Sequence, residues 1–169
     1  MSIFTKITTG FLAVLIGISA SFAQAKPAAG NPYQAIDKIV LALPAADAGS
    51  VQNIGAYINQ HFTNDADKTR AAFAWVTGNI SYDIDNMFAI NLYETKEDKL
   101  KKALAYKKGI CEHFALLFTA ICKEMNIEAC TIDGFTKQNG FTDYIPHVWA
   151  AAAIDDKWYL FDPTWGSGY

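Results

Sequence analysis

The chain has 169 residues, of which 51% are apolar and 14% aromatic, and its formal charge is −3. That composition suits one domain with a real core and excludes a disordered or low-complexity chain. An acidic balance without a basic stripe argues against nucleic acid as a partner.

Residues 1–25 read as a secretory signal peptide. Lys6 supplies the positive start, residues 11–18 the apolar core, and small residues allow cleavage after Ala25 or Ala23. The apolar run is shorter than the roughly 20 residues a membrane-spanning helix needs. The expected location is therefore secreted or periplasmic, with no membrane span after cleavage. No cysteine stands near the cleavage site to carry a lipid. Cleavage removes Lys6 and no acid, which takes the formal charge from −3 to −4.

Residues 26–63 form an N-terminal helical segment. Residues 26–31 are a Pro/Ala/Gly spacer, and a helix is predicted over 33–43, stopped by Pro44. Ser50 is placed to cap a second helix with Val51, Ile54, Ile58 and Phe62 on one face. Thr63-Asn64-Asp65 opens a third, over 66–78, with Ala72, Phe73 and Val76 inward and Trp75 at the edge. Residues 79–95 read as irregular and aromatic, with Tyr82, Phe88 and Tyr93. A charged amphipathic helix is predicted over 96–106, with Leu100 and Leu104 inward and Gly109 as its breaker. The next helix begins at Cys111 and is apolar or small nearly all round through 114–125, so it is expected at the centre. The period then changes. A strand is predicted over 127–135, a turn over 137–140, and a hairpin of 146–154 and 157–161 about Asp155-Asp156. Helices first and antiparallel strands after is an α+β order.

Three segments carry chemistry in sequence order: Cys111 at a helix start, His147-Val148-Trp149, and Asp162 at the end of an apolar strand. A helix N-terminus attracts negative charge and so favours a thiolate. A histidine can take and return the thiol proton, and a carboxylate can hold the imidazole in its working tautomer. The 15-residue step from His147 to Asp162 lets adjacent antiparallel strands bring the two together. His61 and His113 are the rival imidazoles. His113 lies two residues from Cys111, so the two side chains point to different helix faces. Glu112 reads as an electrostatic support of the helix start. Trp149 and Trp165 are candidate cleft walls. Three cysteines leave one unpaired. Cys122 and Cys130 could pair, but two buried, inert thiols are the favoured reading. No zinc spacing, phosphate loop or calcium loop occurs, so neither metal nor cofactor is expected.

Three blocks in order resemble the transglutaminase-like superfamily of papain-like cysteine enzymes, and within it the kyphoscoliosis-peptidase-like branch. They are Asp67-Lys68-Thr69-Arg70-Ala71-Ala72-Phe73-Ala74-Trp75-Val76 with Asn79-Ile80-Ser81-Tyr82-Asp83; Lys108-Gly109-Ile110-Cys111-Glu112-His113-Phe114; and His147-Val148-Trp149 with Trp158-Tyr159-Leu160-Phe161-Asp162-Pro163-Thr164-Trp165-Gly166. The similarity covers residues 64–169, which become the expected catalytic domain. It implies an α+β papain-like core, in which a central cysteine-bearing helix packs on an antiparallel sheet. It also implies Cys111 as nucleophile, His147 as general base and acid, and Asp162 as orienting carboxylate. The Cys111 backbone N–H is the implied oxyanion donor, with Tyr82 as a second candidate. The implied substrate is a peptide or protein amide, attacked through a thioester, with hydrolysis favoured over transamidation. Ala150 departs from the asparagine common after the family's His-x-Trp motif, and the chain ends seven residues after Asp162. A catalytically inactive binding or scaffold module of the cell envelope is the competing expectation. Oligomeric state is not readable from the sequence.

Overall fold

The computed structural model describes residues 31–87, 93–137 and 144–168. The predicted signal peptide, Phe88 and all but Lys137 of the predicted 137–140 turn lie outside the described residues. In chain order the elements are α1 (Gln34–Val40), α2 (Val51–His61), α3 (Asp65–Asn79), β1 (Ser81–Tyr82), a 3₁₀ turn (Ile84–Asn86) and α4 (Lys96–Tyr106). Then come β2 (Lys108–Gly109), α5 (Cys111–Glu124), β3 (Ala129–Thr136), β4 (Ile145–Ile154), β5 (Lys157–Phe161) and the one-turn α6 (Pro163–Gly166).

Local chemistry sets the helix starts. Ser50, Asn64 and Thr95 accept hydrogen bonds from the backbone N–H groups of Asn53, Asp67 and Asp98 at 3.1, 2.8 and 3.1 Å. Each satisfies one of the orphan donors of a helix N-terminus. Helix α4 ends at Tyr106 because Lys107 turns into the left-handed region, with φ 51°. Gly109 is therefore not the breaker. It belongs to the short strand β2.

Strands β3, β4 and β5 form an antiparallel sheet in sequence order. The β4–β5 turn is made by Asp155 and Asp156, with φ of 50° and 61°. Two successive left-handed residues match the twist of a tight hairpin. The predicted hairpin and its turn hold, and the predicted 127–135 strand is β3, starting two residues later.

Helix α5 is the hub. Phe114, Leu117, Phe118 and Ile121 are fully buried in one cluster with Ile54, Ile58, Ala72 and Val76 of α2 and α3. Its other side meets Ala129, Ala150 and Ala152 of the sheet, which belong to the same cluster. Alanines there let helix and sheet approach closely. Phe161 closes the end, with its ring centroid 4.9 Å from Phe118 and 6.1 Å from Phe73. The expected central, cysteine-bearing helix on an antiparallel sheet is what the chain builds.

Two expectations change. Trp75 is 1% exposed, in the core and not at an edge. The Lys107 ammonium lies 4.8 Å from its ring centroid, so a cation instead of water covers the face of the indole. Cys130 is exposed and not buried. It pairs with Ala151 on the sheet face opposite the α5-facing Ala150 and Ala152, because neighbouring strand residues alternate in direction. Cys122 lies in the α5 core, and all three cysteines are free thiols.

Candidate active site

Cys111 is the first residue of α5 and is partly exposed. The strand pairing of β1 with β2 fixes the approach to it. Ser81 N–H donates to the Lys107 carbonyl and Asp83 N–H to the Gly109 carbonyl, both at 2.9 Å. That parallel pair sets Tyr82 opposite Gly109, two residues before the cysteine. The Tyr82 ring packs 6.3 Å from Phe114.

No hydroxyl or carboxylate caps α5 at Ile110. His113 does part of that work instead. Its Nδ1 accepts the Ile110 backbone N–H at 3.2 Å. Burial pushes the His113 pKa below 6.5, against the pull of Glu112 and Glu94. A neutral ring keeps Nδ1 free to accept. Gly109 makes room for this ring, since a Cβ there would come within 2.5 Å of the His113 Cβ. Glu112 receives two contacts from the Lys99 ammonium, at 2.8 and 2.7 Å, which tie α4 to the first turn of α5. A carboxylate in that turn also complements the helix dipole.

His147, 5% exposed, sits near the start of β4. Its Nε2–H donates to Asp162 Oδ2 at 2.8 Å. Asp162 uses its other oxygen, Oδ1, to accept the Trp165 N–H at 3.0 Å and so caps α6. Pro163 at the first helical position is preorganised for that turn. Asp162 is therefore both a turn-former and the partner of His147. The same turn lays Trp165 over the imidazole, stacked at 5.0 Å and 23°. Trp149 meets the ring edge-on at 4.7 Å. Both tryptophans predicted as cleft walls flank the imidazole.

The imidazole electrostatics are coupled to both neighbours. Burial opposes the charged ring, but the hydrogen bond to Asp162, the interaction with the Cys111 thiol and the charges of both raise the His147 pKa from 6.5 to about 9. With Nε2 engaged by Asp162, Nδ1 is the ring atom left for Cys111. The structure thus brings Cys111, His147 and Asp162 together. The rival imidazoles are committed elsewhere: His113 to Ile110, and His61 to the Tyr57 carbonyl at 2.8 Å. Burial pushes the Cys122 thiol up to about 12, which leaves it inert. Ala150 is fully buried opposite Phe161, on the face that packs against α5.

A thiol at a helix start, an imidazole against it and a carboxylate behind the imidazole are the parts of nucleophilic acyl transfer. A family model described as the transglutaminase-like superfamily matches residues 52–163. The chain belongs to the transglutaminase-like superfamily. Its curated relatives fall in the kyphoscoliosis-peptidase branch. Kyphoscoliosis peptidase of Mus musculus is 29% identical over 115 residues, and that of Homo sapiens 30% over 115. Each alignment covers 64% of this chain but 17% of the relative, so the chain spans under a fifth of their length. Among solved structures, a candidate cysteine protease from Cytophaga hutchinsonii matches with a TM-score of 0.54 at 21% identity, over 77% of this chain and 42% of that one. The periplasmic domain of TgpA from Pseudomonas aeruginosa, bound to ethylmercury, matches with a TM-score of 0.53 at 17% identity, over 78% of this chain and 49% of that one. These two likenesses establish the papain-like, transglutaminase-like fold.

Three parts of the site were not predicted. The His113 cap could have been found from its position three residues after Ile110, where a side chain can reach back to the cap. The Lys99–Glu112 pair and the β1–β2 pairing join segments that no local pattern connects.

Proposed function

We propose that this chain is an exported thiol enzyme that cleaves peptide or protein amide bonds, with Cys111 as nucleophile, His147 as acid and base, and Asp162 as the orienting carboxylate. The observation that carries this reading is the His147–Asp162 hydrogen bond of 2.8 Å beside the Cys111 thiol. A protonated imidazole next to a sulfur favours the thiolate. The Cys111 sulfur adds to the substrate carbonyl carbon, and the carbonyl oxygen becomes an oxyanion. The Cys111 backbone N–H, an orphan donor of the first helical turn, and the Tyr82 side chain receive it. The C–N bond then breaks. His147 gives its proton to the leaving amine, and a thioester remains on Cys111. Water attacks the thioester with its proton passing to His147, which releases the acid and restores the thiol.

Hydrolysis is favoured over transfer to an amine because the relatives and neighbours are described as peptidase and protease. Export rests on the signal-like residues 1–25. The test is a paired assay of the mature chain. Fluorescein-labelled casein reports peptide release and dansylcadaverine reports amine incorporation. Release without incorporation, abolished in Cys111→Ala, is expected. Incorporation without release would make the chain an acyl transferase. Neither activity, with an unreactive Cys111, would leave a binding module on the same fold.

A further inference from the structure

Strand β5 is an edge of the sheet among the described residues, since it pairs with β4 alone. Its sequence is Lys157-Trp158-Tyr159-Leu160-Phe161, with one charge at its start and no proline. Trp158, Tyr159 and Leu160 are 52%, 47% and 65% exposed. Natural edge strands are commonly blunted by charge, proline or a bulge, because free backbone N–H and C=O groups recruit another strand. An apolar edge of this kind calls for an occupant.

A second observation lies beside it. A cleft of about 520 Å³ runs between β5, helix α3 and Tyr33, just before α1, and is walled by Tyr33, Arg70, Phe73, Tyr159 and Phe161. Its walls are preset. Asp37 holds the Arg70 Nε and Nη2 at 2.8 and 2.6 Å, and the guanidinium carbon lies 4.9 Å from the Tyr33 ring and 5.6 Å from that of Phe73. Alternation along β5 sends Tyr159 and Phe161 to the helix side and Trp158 and Leu160 to the other, with Leu160 also lining the cleft. A strand laid against β5 would find an apolar contact on both faces: the aromatic cleft for one set of side chains, Trp158 and Leu160 for the alternate set.

We infer that the edge of β5 left unpaired among the described residues binds the substrate as an extended peptide with alternating apolar side chains, added to the sheet as a fourth strand. Strand addition draws affinity from the main chain and specificity from pockets for alternate side chains. Area decides between a peptide and a second copy of the chain. The exposed parts of Trp158, Tyr159 and Leu160 amount to on the order of 350 Å², counting about 150–250 Å² for a whole aromatic side chain. A stable protein interface needs about 800 Å² per partner, whereas functional patches of about 300–600 Å² are common on monomers. The strand also leads directly into Asp162, so a peptide paired along it reaches the His147–Asp162 end of the sheet. The inference rests on the peptide-cleaving reading of that site and names its substrate class.

The experiment uses full-length mature Cys111→Ala, ¹⁵N-labelled, titrated with a capped hexapeptide of alternating threonine and valine. A counterpart N-methylated at alternate residues lacks the backbone donors. Amide shifts concentrated in Lys157–Phe161 and around Tyr33 and Phe73 are expected. N-methylation should weaken binding on the order of tenfold or more, the loss of about 1.4 kcal/mol. Leu160→Lys and Trp158→Lys, each with an intact melting transition, should weaken it similarly. Absent binding, shifts elsewhere, or equal affinity for both peptides would overturn the inference. So would a concentration-dependent dimer in sedimentation that Leu160→Lys abolishes, without peptide binding. Because Cys111→Ala has no nucleophile, this outcome is separate from thiol reactivity in the native chain. Failure here with a reactive Cys111 sinks the docking edge alone, and binding here with an unreactive Cys111 sinks the enzyme alone.

Discussion

Asp162→Asn separates the charge of the orienting residue from its architecture. Asparagine caps a helix about as well as aspartate, so the Oδ1 contact with the Trp165 N–H, and with it α6, should survive. What is lost is the negative partner of His147. The native imidazole is raised from 6.5 to about 9. Raising it from 6.5 to about 9 corresponds to roughly 3–3.5 kcal/mol at ~1.4 kcal/mol per factor of ten, shared between Asp162 and Cys111 and already net of burial. Without the carboxylate charge, burial dominates, and the ring should titrate at or below about 6.5 once Cys111 is also replaced by alanine. The assay is an NMR pH titration of the His147 ring in native, Asp162→Asn, Cys111→Ala and double-variant chains. Linkage adds a second readout. A histidine whose pKa is raised on folding stabilises the fold below its unfolded pKa of 6.5, and that contribution is lost as pH rises through about 9. Native chain should therefore exceed Asp162→Asn in stability at pH 6 by up to about 3 kcal/mol, and the gap should close by about pH 10. Amide cleavage should fall on the order of 10³-fold. A ring that keeps its native titration in Asp162→Asn would refute the reasoning.

Three further outcomes follow from the same geometry. His113→Ala should cost about 1 kcal/mol in urea unfolding, because the half-buried Ile110 N–H loses its acceptor. The His113 pKa is lowered on folding, so its contribution is present above pH 6.5 and lost as pH falls through the folded value; the deficit of the variant should shrink on acidification. Gly109→Ala should push the His113 ring aside, since its Cβ would lie 2.5 Å from the His113 Cβ, and should slow Cys111 alkylation along with lowering the melting temperature. Trp165→Ala should lower kcat by about 2–10-fold with KM little changed, because a stacked ring pair contributes about 0.5–1.5 kcal/mol, here spent on holding the imidazole; an effect confined to KM would make Trp165 a substrate wall instead.

Much of this arrangement was legible in the sequence because it is locally encoded. Ser50 and Thr63-Asn64-Asp65 announce helix starts, and the apolar periodicity of residues 114–125 marks a central helix. The His147-to-Asp162 spacing matches two strands joined by a tight turn. What escaped is decided by contacts between distant segments. Strands β1 and β2 are two residues each and have no period to detect. Trp75 looks amphipathic until Lys107, placed by its own left-handed backbone, covers it. Cys130 looks like a core thiol because cysteine usually is one. Its exposure depends on which face of β3 meets α5, a single register choice.

The central claim is that Cys111 and His147 work as a pair, and alkylation kinetics test it most directly. The mature chain is treated with iodoacetamide between pH 4 and 9, and mass spectrometry assigns each cysteine. Cys130, exposed, is the reference, and Cys122, buried and pushed up to about 12, should stay silent. The account predicts that Cys111 outpaces Cys130 increasingly as pH falls from 8 to 6, and that His147→Ala removes this advantage. If Cys111 follows Cys130 at every pH, or reacts identically without His147, the pair does not exist and the proposed chemistry falls with it.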